Sequence, residues 1–435
     1  MKDLKPKFKV LSIVIFLALD SSQIIAENLP HTPESSWLPN RRQDQNRTSN
    51  GHILTPAAAN IPGFGFFYGI IGGLFNVFGS ESDIFSYRFW GEISGGGLGV
   101  VDTPILDHKM TLNLFYNIFN QAAVETHRRT IHSNPDDALY QHFDFFEVSL
   151  AQVNYRLFER RLQLNVGINR QRQNIDGLYD LDGEKISPFS SSHNESFSLS
   201  YGIVADFADD RADPRNGAVL ELFRYDKQDP GKQEAYHYNM DYNLLYHIPF
   251  LSHSTWVFNF YRSDSILYRE GELNPDEVRA TLGLRCSDLN GSEAERCIYH
   301  EAKLLADQLA ANRHGTSVPI GGTQRLQAYP TNRFVGAHTQ TFGTEARINL
   351  TQEVSPFNIG ILSGIRTGVQ FAFFYEKGIA TDKKEELLQL DQYKPSFGGG
   401  IRFILASGFI VRMDLASGPE GKQPVLIFQY PWNVF

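Results

Sequence analysis

Few residues of this chain stand at the spacings that chemistry requires. His300-Glu301 opens like a zinc-protease motif, but no second His follows one helical turn on to complete a metal pair. There is no Gly-x-Ser-x-Gly elbow to raise a nucleophile. Asp180-Leu181-Asp182-Gly183 offers oxygen ligands for Ca²⁺ and is also ordinary turn composition, the commoner use of such a cluster. His237 and His247 share one face of a strand pattern, too far apart along it to hold one ion. Glu345 and Arg347 are same-face neighbours on a strand and read as a charge network more readily than as an active site. No catalytic residue, metal or cofactor is therefore expected.

The elements that carry these residues have a period of two. Tyr236, Tyr238, Met240, Tyr242, Leu244, Tyr246 and Ile248 alternate with His237, Asn239, Asp241, Asn243, Leu245 and His247. Leu162 to Asn169, Phe197 to Ile203, Thr341 to Leu350 and Val369 to Glu376 repeat the pattern. Soluble sandwiches also alternate, but their strands average about 5–6 residues. Several stretches here hold for about 9–13, the reach that crosses a bilayer at a tilt.

Composition agrees. The chain has 435 residues, a net charge of −9, two Cys and 13% aromatics. Its mean hydropathy is −0.30. Apolar outward faces averaged with polar inward faces give such a value. The acidic balance argues against a nucleic-acid partner.

Lys2, Lys5, Lys7 and Lys9, the apolar run Val10 to Leu19, and Ile24-Ile25-Ala26 read as a secretory signal over 1–26. A polar stretch, 27–60, reads as a flexible periplasmic leader. The region 61–435 reads as one all-β transmembrane antiparallel barrel. Fourteen strands are legible: 63–76, 84–100, 109–123, 144–158, 161–172, 195–207, 218–226, 235–249, 254–267, 338–351, 361–376, 395–405, 409–416 and 424–433. With the N-terminus in the periplasm, the long connections 124–143, 173–194, 268–337 and 377–394 all fall outside. Within 268–337, Ser292 and Glu295 fit a capping box, and Ile298, Ala302, Leu305 and Leu309 predict a short helix stopped by Asn312 to Gly315. Cys286 and Cys297 flank its start and should pair in an oxidising compartment.

Three stretches resemble the BamA/TamA family of outer-membrane assembly and translocation barrels, also called bacterial surface antigen barrels. Asp209 to Gly217, with Asp210, Arg211, Pro214 and Gly217, looks like the family's Asp-x-Arg…Pro…Gly turn on the periplasmic side. Gly321-Gly322-Thr323-Gln324-Arg325-Leu326-Gln327-Ala328-Tyr329-Pro330-Thr331-Asn332-Arg333-Phe334 looks like its Gly-Gly…Leu-Arg-Gly-Tyr-Pro…Arg-Phe loop. Phe397 to Phe403, Val411 to Asp414 and the terminal Phe435 complete the likeness, which covers roughly 195–435.

The resemblance implies a sixteen-stranded barrel in the bacterial outer membrane. Its partners would be outer-membrane lipids and lipopolysaccharide, the assembly machinery for its own insertion, and an unnamed protein or lipid cargo. It also implies that the loop enters the lumen, where its Arg meets an acid on the next-but-one strand. Here the Arg position holds Gln327 and the Gly position Ala328, while the acid position holds Glu376. The partner of Glu376 is left open among Arg325, Arg333, Arg347 and Arg366, or a neutral hydrogen bond from Gln327. About 34 residues precede the barrel, too few for a POTRA module, so delivery through POTRA domains is not expected. Asn433 interrupts the aromatic phase of the last strand. The expected function is insertion or translocation of proteins or lipids without chemistry; a lipid-acting enzyme and a passive pore are the alternatives.

Overall fold

The computed structural model describes residues 50–435 apart from 81, 107–108, 159, 187–188, 211–212, 252–253, 352–356, 360–361, 366–367, 405–409, 428–430 and 433–435. The signal, positions 27–49 of the expected leader, Arg211, Arg366 and Phe435 lie outside the described residues.

A strand with one apolar and one polar face cannot rest in lipid with a free edge, because each unmet backbone group there costs several kcal/mol. The described strands answer this by forming a closed antiparallel wall of sixteen. They are β1 (Gly51–Ile61), β2 (Gly65–Phe75), β3 (Asp83–Gly91), β4 (Ser94–Leu106), β5 (Met110–Thr126) and β6 (Leu139–Leu157). Then follow β7 (Leu162–Tyr179), β8 (Ser192–Asp206), β9 (Gly217–Lys227), β10 (Tyr236–Phe250), β11 (Ser254–Arg269) and β12 (His338–Asn349). A small hairpin, β13 (Phe357–Ile359) and β14 (Leu362–Ile365), intervenes. The wall resumes with β15 (Gly368–Thr381), which pairs with β12, and ends with β16 (Lys394–Ile404), β17 (Ile410–Gly418) and β18 (Gly421–Ile427).

Alternation sets the two faces. Leu164, Val166 and Ile168 on β7, Leu199, Tyr201 and Ile203 on β8, and Phe371, Phe373 and Tyr375 on β15 are exposed outward. Asn243 and His247 on β10, Glu345 and Arg347 on β12, and Arg402 and Arg412 on β16 and β17 are buried inward. A continuous apolar skin around a polar interior is the solution for a barrel that spans a lipid bilayer.

Two strands were hidden in the sequence. The pattern at 84–100 merges β3 and β4, joined by a hairpin at Glu92-Ile93 after Gly91, whose φ of 133° suits glycine. The other is β1, in the stretch assigned to the leader; its Thr-Pro-Ala-Ala-Ala-Asn run offers little contrast between faces. The wall therefore starts at Gly51 rather than Ile61, and has sixteen strands rather than fourteen.

The connections at one end are long. They include 270–337, which holds α1 (Pro275–Thr281) and α2 (Gly291–His314). Helix α2 is capped by Asn290 without a side-chain bond, so the expected Ser292 box does not form; Gly315, at φ 74°, ends it. Cys286 and Cys297 are joined in a disulfide. Asp307 of α2 accepts from the Arg128 guanidinium (3.2 Å) and the Arg129 amide (3.1 Å), tying the helix to the β5–β6 connection. No helix among the described residues is long and apolar enough to cross a membrane.

Candidate functional site

Residues 321–336 lie inside the lumen, packed on the inner face of β11, β15, β16 and β17. Leu326, Ala328, Tyr329 and Phe334 are fully buried in one apolar cluster with Phe374, Ile379 and Ala416 of the wall. Burying a Leu or Phe side chain contributes about 1.5–3 kcal/mol, so the apolar residues seat the loop. The wall is shaped for them. A Cβ on Gly378 would lie 3.0 Å from Leu326 Cδ1, and one on Gly418 would lie 2.9 Å from Ala328 Cβ. Gly321 and Gly322 have φ of 118° and 101°, backbone that side-chain-bearing residues rarely adopt.

Glu376 of β15, 1% exposed, is the polar anchor. It accepts from the Gln327 backbone N–H (2.9 Å), the Ser396 hydroxyl (3.2 Å) and the Trp432 indole N–H (2.7 Å). All three donors are neutral. The Gln327 side chain faces the other way, and its Oε1 accepts from Arg412 Nη1 of β17 (3.0 Å). Where the family resemblance implies a cation on the loop, the cation stands on the wall instead. Arg412 also donates to the Thr323 carbonyl and pairs with Asp414 (3.3 Å). Beyond it, Glu345 takes Arg347 Nε (2.6 Å) and both amino groups of Arg402, giving a buried charge network along the inner wall. A buried charge is tolerated when paired and hydrogen-bonded, as Glu345 is, while Asp414 is ion-paired with Arg412 (3.3 Å) and Arg402 (3.7 Å).

The loop's second half reaches the barrel's long-loop end. Arg333, 1% exposed, forms a two-point pair with Glu420 in the β17–β18 turn (2.7 and 2.9 Å) and donates to Ser133. Two residues earlier, the Thr331 N–H donates to the Pro62 carbonyl in the β1–β2 turn (2.8 Å). His127, just beyond β5, is held down to about 3 by burial and by the Arg333 and Arg128 charges. Arg325 stacks over Tyr261 at 3.6 Å and donates to the Trp432 carbonyl (3.2 Å).

Trp432 comes from the C-terminal tail, beyond β18, and is 1% exposed inside the lumen. Besides its indole bond to Glu376, its N–H donates to the Gln324 carbonyl (3.2 Å) and its carbonyl accepts from Asn243 (2.9 Å). A Cβ on Gly343 of β12 would lie 2.7 Å from the indole. Loop, wall acid and tail thus meet at one point.

The wall is not uniform. β1 and β2 pair along their whole length, from Gly51↔Phe75 to Ile61↔Gly65. On its other edge β1 registers with β18 only at Asn60↔Leu426 among the described residues. Near its start it pairs instead with β14, His52↔Ser363 and Ile53↔Leu362.

The structure gathers Gly321 to Phe334, Glu345, Arg347 and Glu376 on one side of the lumen. The Asp210 turn stands at the short-turn end, tied to β15 where Gln370 Nε2 donates to Asp213 Oδ1 (2.7 Å). There Asp210 accepts from the Asp213 N–H (3.2 Å), and Gly217 has a φ of 110° where a Cβ would lie 2.2 Å from the Phe207 carbonyl. Asp180 accepts from the Asp182 and Glu184 N–H groups, a turn, and lies 3.6 Å from Arg296 Nη1 of α2. No cluster of potential metal ligands occurs among the described residues. Sequence reasoning missed Ser396, Arg402, Arg412, Glu420 and Trp432. Arg402 and Arg412 were findable, since each alternates with outward apolar neighbours in Ile401-Arg402-Phe403 and Val411-Arg412-Met413.

No family model matches the sequence, and no curated protein matches it. Among solved structures the chain is similar to BamA from Haemophilus ducreyi lacking POTRA domains 1–3, with 10% identity, a TM-score of 0.45, and 87% of this chain and 69% of that one covered. It is also similar to CdiB from Escherichia coli (12% identity, TM-score 0.43, 88% and 60% covered) and from Acinetobacter baumannii (11%, 0.45, 87% and 58%). The chain thus spans about three fifths of the CdiB chains. Among the described residues the chain is a closed antiparallel barrel of sixteen wall strands with an apolar outer face and a loop seated on Glu376, the acid of the second wall strand after it.

Proposed function

We propose that the barrel inserts or passes proteins or lipids through the β1–β18 seam, without covalent chemistry, and that residues 321–336 control that seam. One observation carries the reading: a single loop binds both of the hairpins that flank the seam. Thr331 binds the β1–β2 turn, and Arg333 binds the β17–β18 turn. Withdrawing the loop would release both at once, leaving the Asn60↔Leu426 register and the Asn60 side-chain bond to the Pro424 carbonyl (2.6 Å) as the seam's ties among the described residues. A β1 edge freed this way offers unmet N–H and C=O groups to a client strand or a path to a lipid headgroup. The long-loop end would face the exterior, with lipopolysaccharide around the outer half of the wall. A passive pore is disfavoured because the loop, the Trp432 tail and the charge network occupy the lumen.

The test is a reducible lock across the seam, Asn60→Cys with Leu426→Cys, in liposomes with an unfolded outer-membrane protein as client. The oxidised lock should abolish acceleration of client folding, and reduction should restore it. Equal acceleration by the locked barrel would sink the seam route. A large steady conductance of the unmodified barrel in planar bilayers would favour the pore.

A further inference from the structure

Beside the docked loop the lumen keeps a cavity of about 290 Å³, lined in part by Lys227, Arg325, Asn239, Asp241, Tyr225 and Ser198. Its charges are unmatched. Lys227 Nζ touches His237 Nε2 (3.1 Å), and Arg325 touches only the Gln324 side chain, the Trp432 carbonyl and the Tyr261 ring. Neither cation reaches a carboxylate at ion-pair distance among the described residues. The one carboxylate in the lining, Asp241, accepts from the Tyr261 hydroxyl (2.9 Å) through Oδ2. Two cations against one carboxylate leave the lining with one net positive charge.

The open acceptors are as telling. Asn239 Oδ1 is buried without a donor and Arg325 Nε without an acceptor, and Asp241, which takes bonds from Ser263 and Tyr261, keeps carboxylate lone pairs to spare. Unmet buried polar groups are costly and call for a partner. Lys227 is exposed while Asn239, Asp241 and Arg325 are buried, so the cavity opens on the lysine's side, at the long-loop end of β9. An occupant must then bring an anion for Lys227 and Arg325 together with hydroxyl or amine donors for Asp241 and Asn239. A bare anion lacks the donors, and a neutral sugar lacks the charge.

We propose that this cavity binds a phosphorylated sugar, its phosphate toward Lys227 and Arg325 and its hydroxyls donating to Asp241 and Asn239. The volume suits a monosaccharide phosphate. The same chemistry belongs to a free sugar phosphate and to the headgroup of a phosphorylated glycolipid. Binding is independent of the seam, since it can be read without a client.

The full chain in neutral detergent would be titrated calorimetrically with glucosamine 1-phosphate, inorganic phosphate and glucose. Glucosamine 1-phosphate should bind saturably, phosphate more weakly, and glucose not measurably. Lys227→Gln should weaken the sugar phosphate by at least about ten-fold, because it removes a charge-assisted contact. Asn239→Leu should erase its advantage over inorganic phosphate. Both variants should keep the heat-modifiable gel shift of a folded barrel. Displacement of the probe by a detergent-dispersed phosphorylated glycolipid identifies a lipid source; failure to displace it identifies a soluble one. Absence of saturable binding, a sugar phosphate no better than phosphate, or undiminished binding by Lys227→Gln would overturn the assignment.

Discussion

Two strand pairs of the same wall are closed by different means. β10 and β11 pair from Tyr236↔Arg269 to Phe250↔Ser254, with one irregularity at the start, and need nothing from the lumen to stay together. β1 and β18 register at Asn60↔Leu426, and the hairpins they belong to are bridged by Thr331 and Arg333 of the inserted loop. A long backbone ladder holds one junction, and a docked loop, through the Thr331 backbone N–H and the Arg333 side chain, ties the other. A ladder melts only with the whole sheet, whereas a loop can leave while the sheet survives. Perturbing the loop should therefore separate the two junctions.

The largest separation should come from Glu376. Its carboxylate satisfies the Gln327 N–H, the Ser396 hydroxyl and the Trp432 indole at once. Glu376→Ala leaves three buried donors unmet, each costing about 1–3 kcal/mol. The loop and the C-terminal tail should both become protease-sensitive, and the folded band should convert at a lower temperature on gels. Glu376→Gln keeps one acceptor oxygen and should be milder. If both variants match the parent in melting and proteolysis, loop docking does not hold the seam and the contrast collapses.

That anchor was half legible in the sequence. The period of two placed Glu376 on the inner face, and the loop motif pointed at it. The partner was legible only as one of several: a neutral bond from Gln327 stood beside four arginines, and neither its coming from the backbone N–H nor the indole of the tail is encoded by a local pattern. Arg412 was readable as inward-facing, but nothing in its neighbourhood says that it meets a glutamine 85 positions away. The same limit applies to the wall. Strands with strong contrast, such as β7 and β10, declared themselves. The Ala-rich β1 did not, because its side chains differ little between faces, and β1 is one edge of the seam.

A smaller effect, confined to the seam, is expected at the clasp. Arg333→Ala removes a two-point pair and leaves Glu420 partly buried without its cation, a loss of about 2 kcal/mol. Crosslinking between cysteines at 60 and 426 should slow or become heterogeneous, while crosslinking across β10–β11 stays at the parent rate. Acid should act on the same place. His127 is neutral when folded, its pKa depressed to about 3, while an unfolded His takes a proton near 6.5. The stability of this region is therefore complete above about pH 6.5 and is lost progressively as pH falls toward about 3. Proteolysis of the loop should rise from pH 7 to pH 5 and rise less in a His127→Asn variant. Equal loosening of both junctions by Arg333→Ala would show that the clasp stabilises the barrel as a whole.

The smallest effect should follow loss of the Cys286–Cys297 bond. It closes a short segment at the start of α2, far in the chain from residues 321–336, and restricts the unfolded chain by about 2–3 kcal/mol at most. Helix α2 has other ties, since Asp307 is held by Arg128 and Arg129, and Asn312 donates to the Glu272 carbonyl (2.7 Å). Cys286→Ser with Cys297→Ser should therefore expose the first turns of α2 to protease and leave both strand junctions unchanged. The barrel's conversion temperature should hold, because its ladder does not run through this loop. If removing the bond instead speeds proteolysis of 321–336 to the extent that Glu376→Ala does, then the helical cap, rather than the wall acid, keeps the loop in the lumen. The control of the seam would then lie outside the barrel, and a ligand or partner on α2 would be the first place to look for what opens it.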